Sequence, residues 1–302
     1  NDPVCLMLTP LVLALVRSAD LPPVPYLLGL CMSANAGSAA TFTGNPQNML
    51  IGVASKLPYG QFAALMALPA LASLLVVYGV LAWTFRAQLT GRSIHPEGDP
   101  PPVDRNLLIL CAVVVAGMLA AFFAGLPMSW SALVGAVVVM ILSGVPPEEQ
   151  YRKVDFSLLL FFACLFVVVH GVNEEGWTER MHTLFAPLLV GEPARQAAGF
   201  SALSLVASNL FSNVPFVMLA RTWVPGMVDP ALGWQVLALS STLAGNLTLI
   251  GSVANLIVFE GAKDTVKVGF WQYLRIGAPA TALSLLVGVG LLLAERALLS
   301  AP

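Results

Sequence analysis

The sequence predicts an all-α polytopic membrane protein with two inverted repeats, re-entrant helical hairpins and broken transmembrane helices. The 302 residues are 58% hydrophobic and 10% charged, whereas an ordinary soluble domain is about 25% charged. A helical bilayer crossing needs about 20 apolar residues. Four stretches are long enough and contain no Asp, Glu, Lys or Arg: 57–85, 106–147, 230–259 and 276–294. An internal repeat also relates the two ends of the chain.

The first part of the chain contains three apolar segments. Residues 3–16 form the first, and residues 21–55 form a longer one that a Gly-Asn-Pro triplet interrupts at 44–46. A single span follows near 60–85. Residues 86–105 then combine charges of both signs with several prolines, which is typical of a polar connection.

The second part repeats this order and adds further spans. Periodicity and breaker residues divide it into apolar spans, one amphipathic stretch and two interrupted segments. A Ser-Asn-Val-Pro break at 212–215 marks the tip of a hairpin, and Gly251 interrupts the following segment. The predicted bounds are 106–124, 129–144, 156–172, 176–190 (amphipathic), 196–211, 216–220, 230–259 and 268–294.

Short motifs recur in the same order at both ends of the chain. Asn-x-Pro begins at Asn1 and again at Asn213. Thr41, Gly44 and Asn48 then align with Thr248, Gly251 and Asn255, and Pro69 aligns with Pro279. An odd number of crossings per unit makes the second copy enter from the opposite face, so we expect the repeats to be inverted.

This repeat divides the chain into three regions. Residues 1–88 are predicted to be the C-terminal part of the first repeat, 89–105 a polar linker, and 106–302 the second repeat. The N-terminal part of the first repeat is then missing and is expected upstream of residue 1. We expect the protein in the inner (plasma) membrane of a bacterium or an archaeon.

Two interrupted segments are rich in Ser, Thr and Asn although apolar residues flank them. A helix can break at membrane depth only where protein or a watery cavity satisfies the freed backbone groups. We predict that 41–47 and 248–254 are non-helical and lie opposite each other near the bilayer midplane. Gly44 and Gly251 permit unwinding, and Pro46 removes a backbone donor.

Such breaks suit the binding of an ion or a polar solute. Half-helix N-termini attract oxygen-rich groups, while unwound carbonyls and Asn oxygens can hold Na⁺. The alternative is that small polar residues only allow close helix approach and cap helices. Two breaks at matching repeat positions favour a site. The candidate residues are Asn1, Asp2, Thr41, Thr43, Asn45, Asn48, Ser212, Asn213, Asn246, Thr248, Ser252 and Asn255.

Two residues are candidates for coupling to a driving ion. Asp2 is the only acid within either proposed binding motif, and charged residues inside membranes are functional candidates. The alternative for Asp2 is an ordinary solvated acid. His170 ends an apolar span and is the second candidate, with an interfacial position as its alternative.

At these residues the sequence resembles the ion transporter superfamily. Within it the chain is similar to citrate-transporter-like and arsenical-pump membrane permeases, which are related to D-type sodium/proton antiporters and divalent anion/sodium symporters. The resemblance covers essentially the whole chain. It is carried by Asn1-Asp2, Leu8-Thr9-Pro10, and the segments 33–48, 154–171, 212–215 and 245–258.

The resemblance implies a permease that works by alternating access and needs no cofactor. The same scaffold serves dicarboxylates, citrate, arsenite and Na⁺/H⁺ exchange. In the dicarboxylate branch each hairpin tip carries a Ser-Asn-Thr signature that contacts substrate carboxylates and Na⁺. Here the tips read Asn1-Asp2-Pro3 and Ser212-Asn213-Val214, which favours a less anionic solute such as neutral arsenite, or a coupled cation.

We therefore expect a secondary active transporter, coupled to H⁺ or Na⁺, for arsenite, antimonite or a citrate-like carboxylate. A Na⁺/H⁺ antiporter and a non-transporting membrane scaffold are the alternatives. The expected partners are membrane lipid and a small ionic or oxyanion-type solute. A homodimer is a further possible assembly. The chain has no phosphate loop and is not expected to bind ATP itself, so ATP would act through a separate soluble ATPase subunit, which is the other partner considered. We expect no enzymatic activity and no metal centre, because the sequence shows no nucleophile–base or metal-ligating constellation. We also expect no nucleic-acid binding, because no basic cluster interleaves with aromatics and the net charge is −2.

Overall fold

The computed structural model describes residues 1–89, 104–152, 154 and 156–299, and these contain α-helices, short 3-10 turns and no strand. Within these described residues, three helices are long and apolar enough to cross a bilayer: Tyr59–Thr84, Arg105–Phe123 and Phe270–Leu299. A fourth crossing results if the bent pair Leu159–Glu174 and Trp177–Leu189 counts as one span. The prediction of an all-α polytopic membrane protein is confirmed.

Five helices lie within residues 1–89. They are α1 (Asp2–Ser18), α2 (Pro23–Ser38), α3 (Pro46–Ser55), α4 (Tyr59–Thr84) and α5 (Arg86–Leu89). The Asn1 side chain caps α1 by accepting a hydrogen bond from the Asp2 amide at 2.8 Å. Prolines occupy the first turns of α1, α2 and α3, where a missing N–H leaves no helical bond unmade.

Ten helices follow in the described residues from 104 onward. They are α6 (Arg105–Phe123), α7 (Met128–Leu142), α8 (Pro147–Tyr151), α9 (Phe156–Glu174), α10 (Trp177–Leu189), α11 (Pro193–Phe211), α12 (Asn213–Ala220), α13 (Pro230–Ala244), α14 (Val253–Gly261) and α15 (Phe270–Leu299). Side chains cap several of them. Asp104 accepts from two amides of α6, and Asp229 accepts from the Leu232 amide of α13.

Packing divides the described residues into two compact units. The smaller unit comprises 58–61 and 104–171. Within it, α6 packs against α7, and the Tyr59 ring centroid lies 5.3 Å from those of both Phe122 and Phe123. Many apolar side chains of α6 and α7 are exposed, which suits contact with lipid because lipid tails are as apolar as leucine.

The larger unit comprises 1–57, 62–89 and 172–299, and it contains both predicted polar segments. Its helices pack in a crosswise pattern: α1 lies on α2 and α14, whereas α12 lies on α13 and α3. In addition, α2 contacts α14 and α13 contacts α3. Each contact therefore has a counterpart when α1–α3 are matched with α12–α14, as a pair of repeats would produce. The boundaries of the three predicted regions stay a prediction.

Some predicted element bounds were wrong in detail. The break predicted at 212–215 is confined to Ser212, because α12 already begins at Asn213. Residues 86–89 of the predicted connection form α5, while 90–103 lie outside the described residues. The predicted non-helical segments each contain a 3-10 turn, at Phe42–Gly44 and Leu249–Gly251. They also end early, since Pro46 begins α3 and Val253 begins α14.

Candidate functional site

The first break separates α2 from α3. Its chain forms a 3-10 turn at Phe42–Gly44 and is then extended at Asn45, with φ −157°. A β-carbon added to Gly44 would lie 1.9 Å from the Ser38 carbonyl oxygen. Only glycine fits at this position without moving the backbone.

The second break, between α13 and α14, has the same backbone form. A 3-10 turn at Leu249–Gly251 is preceded by extended Thr248 and followed by extended Ser252, with φ −128° and −146°. A β-carbon on Gly251 would lie 2.8 Å from Asn209 Oδ1. The alignment made from the sequence therefore pairs segments of equal backbone geometry.

One asparagine braces each break from inside. Asn48 Nδ2 donates to the carbonyls of Ser38 at 3.2 Å and Thr41 at 3.1 Å. Asn255 Nδ2 donates in the same way to the carbonyls of Gly245 at 2.7 Å and Thr248 at 3.0 Å. Both asparagines are fully buried. These bonds satisfy carbonyls that the interrupted helices leave without their helical partners.

Each break is also bonded to the helix that precedes the other break. Asn45 Nδ2 donates to Thr242 Oγ1 at 3.1 Å, and Ser252 Oγ donates to Asn35 Oδ1 at 3.0 Å. In the repeat alignment Asn45 is equivalent to Ser252, and Asn35 is equivalent to Thr242. The two hydrogen bonds therefore join equivalent pairs of positions, one in each direction between the repeats. The two breaks are thus close to each other within the larger unit. That they lie opposite each other near the bilayer midplane stays a prediction.

The two hairpin tips reach these breaks. The backbone nitrogen of Asn1 donates to the Gly44 carbonyl at 2.6 Å, which ties the first tip to the first break. At the second tip Asn213 is buried, and its Nδ2 would lie 3.4 Å from a β-carbon on Gly245. Ser212 is exposed and takes φ +72°, the turn that separates α11 from α12.

Three side-chain oxygens of the tips and the first break are buried and have no hydrogen-bond partner among the described residues. They are Asp2 Oδ1, Asn48 Oδ1 and Asn213 Oδ1. The two asparagine oxygens can only accept a hydrogen bond or coordinate a cation, and the same holds for Asp2 Oδ1 when the acid is ionised. A buried acceptor without a partner costs free energy, so each of these oxygens is suited to receive a donor or a cation.

The remaining predicted residues are distributed more widely. Thr41 contributes its carbonyl, Thr248 donates its hydroxyl to Asn209 Oδ1 at 2.9 Å, and Thr43 is half-buried. Asn246 is fully buried. His170 lies on α9 in the smaller unit, where its side chain is exposed, and its coupling role stays a prediction.

Sequence reasoning missed three residues of the site: Asn35, Thr242 and Asn209. Asn35 is bonded to Asn1 of the first hairpin tip and to Ser252 of the second break. Asn209 Nδ2 donates to the Ala244 carbonyl at 2.9 Å. The available signal for two of them was their place in the polar segments. Asn35 and Thr242 occupy equivalent repeat positions with different side chains.

Comparison with known proteins places the chain among transporters. Residues 1–244 match a family described as citrate transporter. A silicon efflux transporter of Oryza sativa subsp. japonica is 31% identical over 363 residues, which cover 97% of this chain and 75% of the relative.

Two more relatives come from other kingdoms of life. An uncharacterized transporter of Mycobacterium tuberculosis is 29% identical over 304 residues, covering 95% of this chain and 71% of the relative. A protein of Dictyostelium discoideum named as an arsB transporter is 25% identical over 403 residues, covering 96% and 71%.

Proposed function

The chain belongs to the citrate transporter family and is a membrane transporter, and we propose that it moves a small hydroxylated solute by alternating access, coupled to H⁺ or Na⁺. The solute class is a neutral oxygen acid such as arsenous acid or silicic acid. The proposed site lies between the two breaks and the two hairpin tips.

One observation carries this proposal. The unpartnered buried oxygens Asp2 Oδ1, Asn48 Oδ1 and Asn213 Oδ1 are all acceptors. A neutral oxygen acid presents O–H donors to such oxygens, whereas a citrate-like carboxylate presents further acceptors and would be repelled by an ionised Asp2. The names of the silicon efflux and arsB relatives support the same solute class.

The coupling ion is proposed to bind at the first tip and first break. Asp2 follows Asn1 directly, and Asn1 is bonded to the Gly44 carbonyl, so the acid belongs to the tip that is tied to the first break. Asn48 Oδ1, which has no hydrogen-bond partner among the described residues, belongs to that same break. Carboxylate, amide and carbonyl oxygens together suit a hard cation. A carboxylate at this position also suits a proton.

A Na⁺/H⁺ antiporter is the second candidate, because the same acceptor oxygens suit a cation without any other solute. The candidates separate in proteoliposomes that contain the purified chain. We expect counterflow of arsenous acid or silicic acid, with weak competition by citrate. Exchange of Na⁺ for H⁺ without movement of either acid would favour the antiporter, and strong inhibition by citrate would favour a carboxylate substrate.

The surroundings are proposed as follows. The chain is an integral membrane protein, and we propose the inner (plasma) membrane of a bacterium or an archaeon as its location. The exposed apolar faces of α6 and α7 are available to lipid or to a second copy in a homodimer. A soluble ATPase subunit would make uptake or efflux depend on ATP, so flux that needs ATP in native membrane vesicles but proceeds without ATP in proteoliposomes of the purified chain would support such a partner.

A further inference from the structure

We propose that the side-chain amide of Asn35 takes the place of a cation at the second break, so that the coupling cation has a site only at the first. This inference rests on the proposed function, because it concerns the number of ion sites in that transporter. The two breaks have the same backbone and the same bracing asparagine. They differ in what faces that asparagine.

Asn35 is 1% exposed and uses every hydrogen-bonding direction of its amide toward the first tip and the second break. Its Nδ2 donates to Asn246 Oδ1 at 2.9 Å and to Asn255 Oδ1 at 3.1 Å. Its Oδ1 accepts from Ser252 Oγ and from Asn1 Nδ2, each at 3.0 Å. A single donor group thus holds two amide oxygens that would otherwise be available to a cation.

The backbone fixes the direction of these amides. Asn246 Nδ2 donates to the Met32 carbonyl at 3.1 Å, and Asn255 Nδ2 donates to the Gly245 and Thr248 carbonyls. A carbonyl can only accept, so the nitrogen of each amide must face it. The oxygens of both asparagines consequently point to Asn35, and only a hydrogen-bond donor or a cation satisfies them.

The first break has no such donor. Thr242 stands at the repeat position of Asn35, and its hydroxyl accepts from Asn45 Nδ2 and from Gln47 Nε2 at 3.1 and 3.4 Å. Ala39 stands at the repeat position of Asn246. As a result Asn48 Oδ1 is buried and has no hydrogen-bond partner among the described residues, while its repeat counterpart is paired with Asn35.

The test removes the cation site at the first break by substitution and then measures whether a second substitution creates a cation site at the second break. Asn48→Ala removes the free oxygen of the first break, and Asn35→Asp exchanges the blocking N–H group for a carboxylate oxygen of equal size. The full chain is purified in detergent, and thermal unfolding is measured in NaCl and in choline chloride. A ligand that binds the native state raises Tm in proportion to the logarithm of its concentration once it is in excess.

We expect no Na⁺-dependent shift in Asn48→Ala and a clear one in the double variant Asn48→Ala with Asn35→Asp. Adding Asn255→Ala to that double variant should abolish the gain. A Na⁺ response that persists in Asn48→Ala and is lost when Asn255→Ala is added overturns the inference, because the second break would then hold a cation beside Asn35. A double variant without any gain overturns it as well.

A second pair of variants covers the case in which the new carboxylate prevents folding. Asn35→Thr gives position 35 the side chain that Thr242 has at the equivalent position. In the Asn48→Ala background we expect this variant to show a Na⁺ response that is present but weaker than that of Asn35→Asp. Thr242→Asn installs the block at the first break, and it should remove any Na⁺ response of the parent. The readout is ion binding, so a failure to transport arsenous or silicic acid would count against the proposed function alone.

Discussion

Asn48 and Asn255 make the same two hydrogen bonds, each from Nδ2 to the backbone carbonyls ten and seven residues earlier in the chain. Each asparagine belongs to the first turn of the half-helix that follows a break and reaches back across that break. The breaks are therefore braced loops of defined shape. This matters for transport, because oxygens bind an ion or solute selectively when they are held in position beforehand.

We expect Asn48→Ala and Asn255→Ala each to reduce solute flux at least tenfold. Each change also leaves two buried carbonyls without their donor, which should lower stability by about 1–3 kcal/mol. Flux in proteoliposomes and thermal unfolding in detergent are the measurements. Asn106→Ala, at the exposed start of α6, is the matched control, and equal flux for parent, Asn48→Ala and Asn255→Ala would disprove the assignment.

Gly44→Ala is predicted to disable the first break. The new β-carbon would overlap the Ser38 carbonyl oxygen, which is backbone and cannot rotate away, so the break must open at a cost of about 1–3 kcal/mol or more. Gly79→Ala on α4 is the control, because no heavy atom lies within 4 Å of the added carbon. Retained flux in Gly44→Ala would mean that the observed break is not the working geometry.

Asp229 is predicted to contribute more to stability than its ion-pair partner Arg296. Asp229 caps α13 through the Leu232 amide and also accepts from Arg296 Nε at 2.5 Å. Asp229→Ala should cost about 1–2 kcal/mol through the lost cap, whereas Arg296→Ala loses an exposed ion pair of about 1 kcal/mol or less. Asp229→Asn keeps a capping oxygen, so its Tm should resemble that of Arg296→Ala. A loss as large as that of Asp229→Ala would contradict the capping role.

Both breaks could be predicted from the sequence because their cause is local. Both contain glycine within an apolar run, with Asn, Ser and Thr around it, and the first also contains proline. An uninterrupted span has no reason to contain these features. The bounds were less predictable. The sequence places Pro46 in the first break because proline ends helices. In the structure Pro46 begins α3, where its missing N–H leaves no helical bond unmade.

The role of Asn35 could not be predicted in the same way. Its partners Asn246 and Asn255 lie more than 200 residues away in the chain, and no periodicity within α2 indicates which polar side chain faces them. The repeat alignment does single out this position. Matching positions with different side chains, such as Asn35 and Thr242, are where two otherwise equal half-sites can differ in function.

The last prediction concerns coupling at Asp2. Asp2 Oδ1 is buried without a hydrogen-bond partner among the described residues, and the acid follows the residue that ties the first tip to the first break. Its charge should therefore depend on whether a cation or proton occupies the site, as a coupling group requires. Asp2→Asn keeps the size and one acceptor oxygen but cannot change charge. We expect this variant to bind solute and catalyse passive exchange, while its uptake no longer responds to an imposed pH or Na⁺ gradient. The measurement compares gradient-driven flux with exchange at equilibrium in the same proteoliposomes. If Asp2→Asn still accumulates solute against its gradient as well as the parent does, Asp2 is not the coupling residue, and His170 becomes the next candidate to substitute.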